Sequence, residues 1–289
     1  MFEAITGRAL ILFLGLLPKN LLSRLAGALA SVRLPRPLRR WKIIAFGRIF
    51  GVNFGEVRDP LDSFGSVQEF FTRALKPGVR PVDESADALV SPCDGAWGQC
   101  GLVEQGQLLQ IKGRPYSVGA LLGDEEAARR FEGGCYATLY LSPRDYHRFH
   151  APTAGEVVRA DYLPGSLWPV NRAGVRFVEG LFAENERIVA WLRPDCAPSE
   201  MLCMVAVGAT MVGKVKVTFD SLETNLPPRA KTRRDYSEDA CPRLARGEEW
   251  GRFEFGSTIV MVATPGWLEL HREQAGVPVT LGARIGSVR

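Results

Sequence analysis

Arg252-Phe253-Glu254-Phe255-Gly256-Ser257-Thr258-Ile259-Val260-Met261-Val262-Ala263 is the stretch from which the fold is read. Its first four residues alternate polar and apolar, as a half-buried strand does. Its last six are apolar or β-branched and read as a strand buried on both faces. Gly256-Ser257 therefore falls between or inside strands, with no proline, aspartate or asparagine to make an ordinary turn. A glycine there permits backbone conformations closed to other residues and lets a second group approach its carbonyl. A bulge glycine followed by a strand serine is the plain reading. The chemical one is attack of the Ser257 hydroxyl on the Gly256 carbonyl, followed by elimination and chain cleavage, which needs a base oriented by a third group.

Outward from this stretch the chain divides in character. Residues 1–48 carry nine basic side chains against Glu3 alone, a surplus larger than the whole chain's +4, so the remainder is net acidic. Residues 9–17 form an apolar run too short to span a bilayer. Leu21, Leu22, Leu25, Ala26 and Leu29 recur at helical spacing, and residues 38–50 form a further helical candidate with Arg39, Arg40, Lys42 and Arg48. Basic, leucine-rich amphipathic helices point to an anionic membrane surface. With few aromatic residues to stack on bases, they do not point to nucleic acid. A signal peptide ending near Ala28-Leu29-Ala30-Ser31 and helices packed on the protein's own core are the alternatives.

Beyond residue 75 strands dominate. Expected strands include 89–95 running into a tight turn at Cys93-Asp94-Gly95, then 96–103, 107–112, 136–141, 187–192, 203–207 and a glycine-broken 208–217. Residues 67–74 and 118–131 read as helices, and 224–241 as a basic loop able to meet phosphate. The fold class is therefore α+β: N-terminal amphipathic helices (1–75) packed on a β-rich catalytic domain (76–289). None of the six cysteines forms a C-x-x-C pair, which fits reduced, buried thiols.

Two of the chain's three histidines fall three residues apart, in Ser142-Pro143-Arg144-Asp145-Tyr146-His147-Arg148-Phe149-His150. In a helical turn both rings would serve one site, and imidazole titrates where proton transfer near neutral pH needs it. No third ligand recurs at zinc spacing, so no metal is expected.

Taken in order, five segments resemble the bacterial membrane-associated phosphatidylserine decarboxylases. They are the basic N-terminus, Ser91-Pro92-Cys93-Asp94-Gly95, Tyr140 to His150, Val207-Gly208-Ala209-Thr210-Met211-Val212-Gly213, and Gly251 to Thr258. Phe255 stands where that family usually has leucine. The resemblance implies a self-processing triad in which Asp94 orients His150, His150 takes the Ser257 proton, and Ser257 attacks Gly256. It implies a large chain (1–256) and a small chain (257–289) held as a heterodimer, and a dimer of such heterodimers. The cofactor would be a covalent pyruvoyl group derived from Ser257. It would form a Schiff base with phosphatidylserine and yield phosphatidylethanolamine and carbon dioxide, with His147 returning a proton to the product carbon. The expected location is peripheral, on the cytoplasmic face of the bacterial inner membrane. The alternatives are a pyruvoyl decarboxylase of a soluble amino acid and an unprocessed membrane scaffold.

Overall fold

The computed structural model describes residues 11–289 except 13, 112, 211–213, 226–229, 255–256 and 272, together with the backbone but not the side chain of Ser257. Helices α1 (Lys19–Ala30), α2 (Arg36–Phe50) and α3 (Val67–Phe71) come first. The strands that follow are β1 (Ala88–Val90), β2 (Gly95–Leu102), β3 (Gln107–Ile111), β4 (Arg114–Ser117), β5 (Cys135–Leu141), β6 (Arg148–His150), β7 (Gly155–Leu163), β8 (Arg187–Pro194) and β9 (Leu202–Val207). After them come β10 (Val215–Val217), β11 (Thr232–Asp235), β12 (Arg243–Leu244), β13 (Glu249–Phe253), β14 (Ser257–Ala263), β15 (Leu268–Leu270), β16 (Pro278–Val279) and β17 (Arg284–Val288). The α+β class expected from the sequence is the class observed.

The large antiparallel sheet runs β11-β7-β8-β9-β14-β5-β2-β16, with β12 beside β7. Strand β14 lies near its middle, bonded to β5 on one side and β9 on the other. That position explains the unbroken apolar run at 259–263. Ile259, Met261 and Ala263 pack in one core with Phe149, Trp250 and Phe253, while Val260 and Val262 enter a second core with Leu121, Phe131 and Phe182. The first core is closed by two small sheets, β10-β13-β6 and β1-β17-β15.

Three expectations are corrected. The helix expected over 118–131 breaks at Gly123, whose φ of +70° ends Val118–Leu122 and starts a new short helix at Glu125. The strand expected over 208–217 is reduced, among the described residues, to Val215–Val217. The basic loop 224–241 contains a short strand, β11, paired with β7.

The N-terminal helices are built inside out. Helix α1 turns Lys19, Ser23 and Gly27 inward, one residue per turn, and leaves Leu21, Leu25 and Leu29 exposed by 51, 53 and 67%. Lys19 fixes this orientation: its ammonium lies 3.8 Å from the Trp168 ring centre and donates to the Leu14 carbonyl. On α2, Ile43 and Gly47 face inward, while Trp41 and Ile49 are 70 and 76% exposed. A Cβ at position 47 would sit 2.2 Å from the Phe54 ring, so any larger residue there would push that ring aside.

Candidate active site

The site lies where the chain twice crosses between sheets. Strands β5 and β14 pair in the large sheet, with Leu141 opposite Ser257. Strands β6 and β13 pair in a small sheet, with Arg148 opposite Arg252, and the Phe253 amide donates to the His147 carbonyl at 2.9 Å. The connections 142–147 and 254–256 therefore join the same two sheets at adjacent places. One carries His147 and the other leads into Gly256-Ser257. Pairing register alone produces this juxtaposition of segments more than a hundred residues apart.

The third segment arrives from β2, on the far side of β5. Ala96 pairs with Tyr140, and the His150 amide donates to the Pro92 carbonyl at 2.7 Å. Gly95 passes so close to β5 that a Cβ would lie 2.1 Å from the Tyr140 carbonyl oxygen. Asp94 is 5% exposed and fully engaged. It accepts from the Leu281 amide at 2.8 Å and from Arg80 Nε and Nη2 at 2.8 and 2.7 Å. Arg80 also donates to Glu56 at 2.9 Å, and these two carboxylates hold its guanidinium firmly protonated, the Asp94 bond contributing most.

The two histidines differ in surroundings. Since a carbonyl only accepts, the 2.8 Å contact of His150 Nδ1 with the Gly247 oxygen places the hydrogen on Nδ1. That leaves Nε2 as the basic nitrogen, 3.4 Å from the Tyr146 hydroxyl. Burial lowers the His150 pKa below its ordinary value, partly opposed by the Gly247 bond and by the charges of Glu249 and Asp94. His150 is thus a neutral base at physiological pH. His147 is wholly buried, stacked at 3.8 Å on Phe71, with Nδ1–H donating to the Asp145 carbonyl at 2.8 Å. Its Nε2 is buried with no hydrogen-bond partner among the described residues. Burial first, and the nearby Arg73 charge second, push its pKa down to about 3.

Two site expectations change. Residues 148–150 form a strand, so the histidines do not share a face of a helical turn. Asp94 does not hydrogen-bond His150: the bond that orients the imidazole comes from the Gly247 carbonyl, and Asp94 acts on the ring only through its charge. Sequence reasoning passed over Arg80, Arg73, Tyr146 and Gly247. Arg73 and Gly247 reach the histidines from far along the chain, Tyr146 stands four residues before His150 inside the same motif, and Arg73 and Arg80 flank a helix-ending Lys-Pro-Gly that reads locally as a stop signal. Phe255 and Gly256 lie outside the described residues.

Among the described residues no group of three or more His, Cys, Asp or Glu side chains is placed to hold a metal ion. A cleft of about 770 Å³ lined by Cys100, Cys135, Leu268 and His271 opens at the start of β5, the opposite end from Leu141, and contains none of the site residues. A shallower apolar groove of about 360 Å³ runs along α1 and α2 between Leu29, Phe46, Ile49 and Phe50, with Lys42 at its edge.

Comparison with known proteins gives one family. A family model described as phosphatidylserine decarboxylase matches residues 67–287. The chain is 48% identical to the phosphatidylserine decarboxylase proenzyme of Anaeromyxobacter sp. (strain K), over 96% of this chain and 98% of that one. It is 41% identical to the proenzyme of that name from Myxococcus xanthus (94% and 95% covered), and 43% to that from Chromobacterium violaceum (97% and 99%).

Proposed function

The chain belongs to the phosphatidylserine decarboxylase family, and from that premise we propose that it is a carboxy-lyase acting on phosphatidylserine after cutting itself between Gly256 and Ser257. The observation that carries this reading is the pairing register that sets the His147 connection beside the one leading into Gly256-Ser257.

In self-cleavage His150 Nε2 takes the Ser257 hydroxyl proton as the oxygen attacks the Gly256 carbonyl. The Gly247 bond keeps the correct tautomer, and Asp94, held by Arg80, favours the imidazolium that forms. The residues present suit a pyruvoyl group at position 257. Strand β14 is bonded on both sides from Thr258 to Ala263, so a new terminus at 257 stays anchored and the two chains remain together. Such a group supplies an electron sink for the carbanion left when carbon dioxide departs. His147 begins neutral with a bare Nε2, so it must first gain a proton before it can return one to the product carbon.

The inside-out helices support a peripheral position on an anionic membrane, on the cytoplasmic face of the inner membrane. Exposed Arg24, Arg33, Arg36, Arg40 and Arg48 accompany the exposed leucines. No helix among the described residues is long and apolar enough to cross a membrane. A lipid substrate gives the docking surface its purpose, since withdrawing acyl chains costs about 0.8 kcal/mol per CH₂.

Carbon dioxide release from phosphatidylserine in mixed vesicles, against release from free L-serine, tests the substrate. Turnover of the lipid with negligible turnover of serine is expected. The reverse would establish a soluble amino-acid decarboxylase instead.

A further inference from the structure

Arg73 is 4% exposed, and its Nε and Nη1 have no hydrogen-bond partner among the described residues. Nη2 is engaged, donating to the carbonyls of Arg144 and Asp145 at 2.8 and 3.0 Å. Three carboxylates act on it from a distance: Asp94, Asp145 and Glu56. Each is committed elsewhere, Asp94 and Glu56 to Arg80, and Asp145 to the Ser142 amide and hydroxyl at 2.7 Å. Among the described residues Arg73 is therefore a buried cation without a dedicated counter-ion, an arrangement that is costly unless an anion arrives. Beside it His147 Nε2 is likewise buried and unpartnered. Phe70 and Phe71 wall the pair, Phe70 lying 5.4 Å from the Arg73 guanidinium and Phe71 stacking on His147.

We propose that Arg73 and His147 form a subsite for an oxyanion of the lipid head group, with the phosphodiester as its favoured occupant. This rests on the decarboxylase reading above. The substrate carries two oxyanions. Decarboxylation discharges the carboxylate, so a buried ion pair to it would stabilise the ground state and be lost in the transition state. The phosphodiester keeps its charge throughout and is held equally well at every stage. The same anion supplies the proton step. By neutralising Arg73 it removes the charge that disfavours a protonated His147, and it accepts a hydrogen bond from Nε2–H once the ring has taken a proton from solvent. Head-group binding thus converts His147 from a neutral ring to a proton donor. Both side chains are buried in the uncut chain.

Two measurements test this. In wild-type protein, with only three histidines, ring ¹⁵N spectra are followed while glycerophosphoethanolamine or L-serine is added. Glycerophosphoethanolamine carries the phosphodiester without a carboxylate, and L-serine the reverse. Protonation of His147 Nε2 at neutral pH on addition of glycerophosphoethanolamine is expected, and a response to L-serine alone overturns the phosphodiester assignment. A His147 ring unmoved by both overturns the subsite. Kinetically, Arg73→Gln should raise the KM for phosphatidylserine by about 10–100-fold with kcat per cut chain changed little, and Arg73→Lys should recover part of that loss. An unchanged KM in Arg73→Gln overturns it too. If Arg73→Gln does not fold, Arg73→Lys and the wild-type spectra still decide. The spectra read only the Arg73–His147 pair, whereas intact mass reads the cut, so failure of one is not mistaken for failure of the other.

Discussion

Acid should destabilise this protein through His147 above all. His147 is wholly enclosed and its pKa falls from 6.5 to about 3, chiefly because burial penalises the imidazolium and secondly because Arg73 repels it. In the unfolded chain the same side chain takes a proton below pH 6.5. The unfolded state then binds more protons than the folded one. The contribution is complete above pH 6.5 and is lost as pH falls toward 3, by about 1.4 kcal/mol per unit. At pH 5 the loss amounts to roughly 2 kcal/mol, a large fraction of typical domain stability. The assay is urea unfolding of the uncut Ser257→Ala chain at pH 7.5 and pH 5, compared with the same chain carrying His147→Gln, whose amide does not titrate. The Gln chain should lose about 2 kcal/mol less between the two pH values. Equal losses in both chains would refute the reasoning, because His147 would then be protonated, or accessible to protons, in the folded state.

Other predictions address separate parts of the structure. Arg80→Leu leaves Asp94 and Glu56 without their shared cation and should cost about 3–5 kcal/mol, read as a lowered urea midpoint in the uncut chain. Leu25→Ser with Leu29→Ser should weaken binding to anionic vesicles by about 30–100-fold in a flotation assay with the melting temperature unchanged, since both side chains are already exposed. Gln68 donates to Glu254 at 2.6 Å, just ahead of the cut, so Gln68→Leu should cost about 1–3 kcal/mol and slow the appearance of cut chain on denaturing gels. The self-cleavage rate should be flat above pH 6.5 and fall in acid as His150 protonates. Because its folded pKa is lowered, the fall should begin below the ordinary histidine value.

Much of this architecture was legible from local pattern. The alternation at 252–255 and the apolar run at 259–263 mark β13 and β14 because a strand buried on both faces admits few polar residues. The leucine spacing of α1 gave a helix, but periodicity cannot say which face turns inward. Lys19 over Trp168 and the inward Ser23 and Gly27 decide that, and they invert the usual arrangement. Asp94, His147 and His150 stood out as residue types in unusual company, yet their partners did not. Arg80, Gly247 and Arg73 reach them through tertiary folding, and a carbonyl that fixes a tautomer leaves no trace in residue identity. Gly123 ended a helix that charge patterning alone would have continued, since its left-handed conformation is a tertiary choice.

The central claim is that Ser257 becomes the end of a chain. Intact mass of the purified protein under denaturing conditions tests it most directly. The expected result is two species, residues 1–256 and residues 257–289, the smaller one lighter by one ammonia than the same residues with an N-terminal serine, with the Ser257→Ala chain remaining whole. A single full-length species, in protein that nonetheless decarboxylates phosphatidylserine, would contradict it.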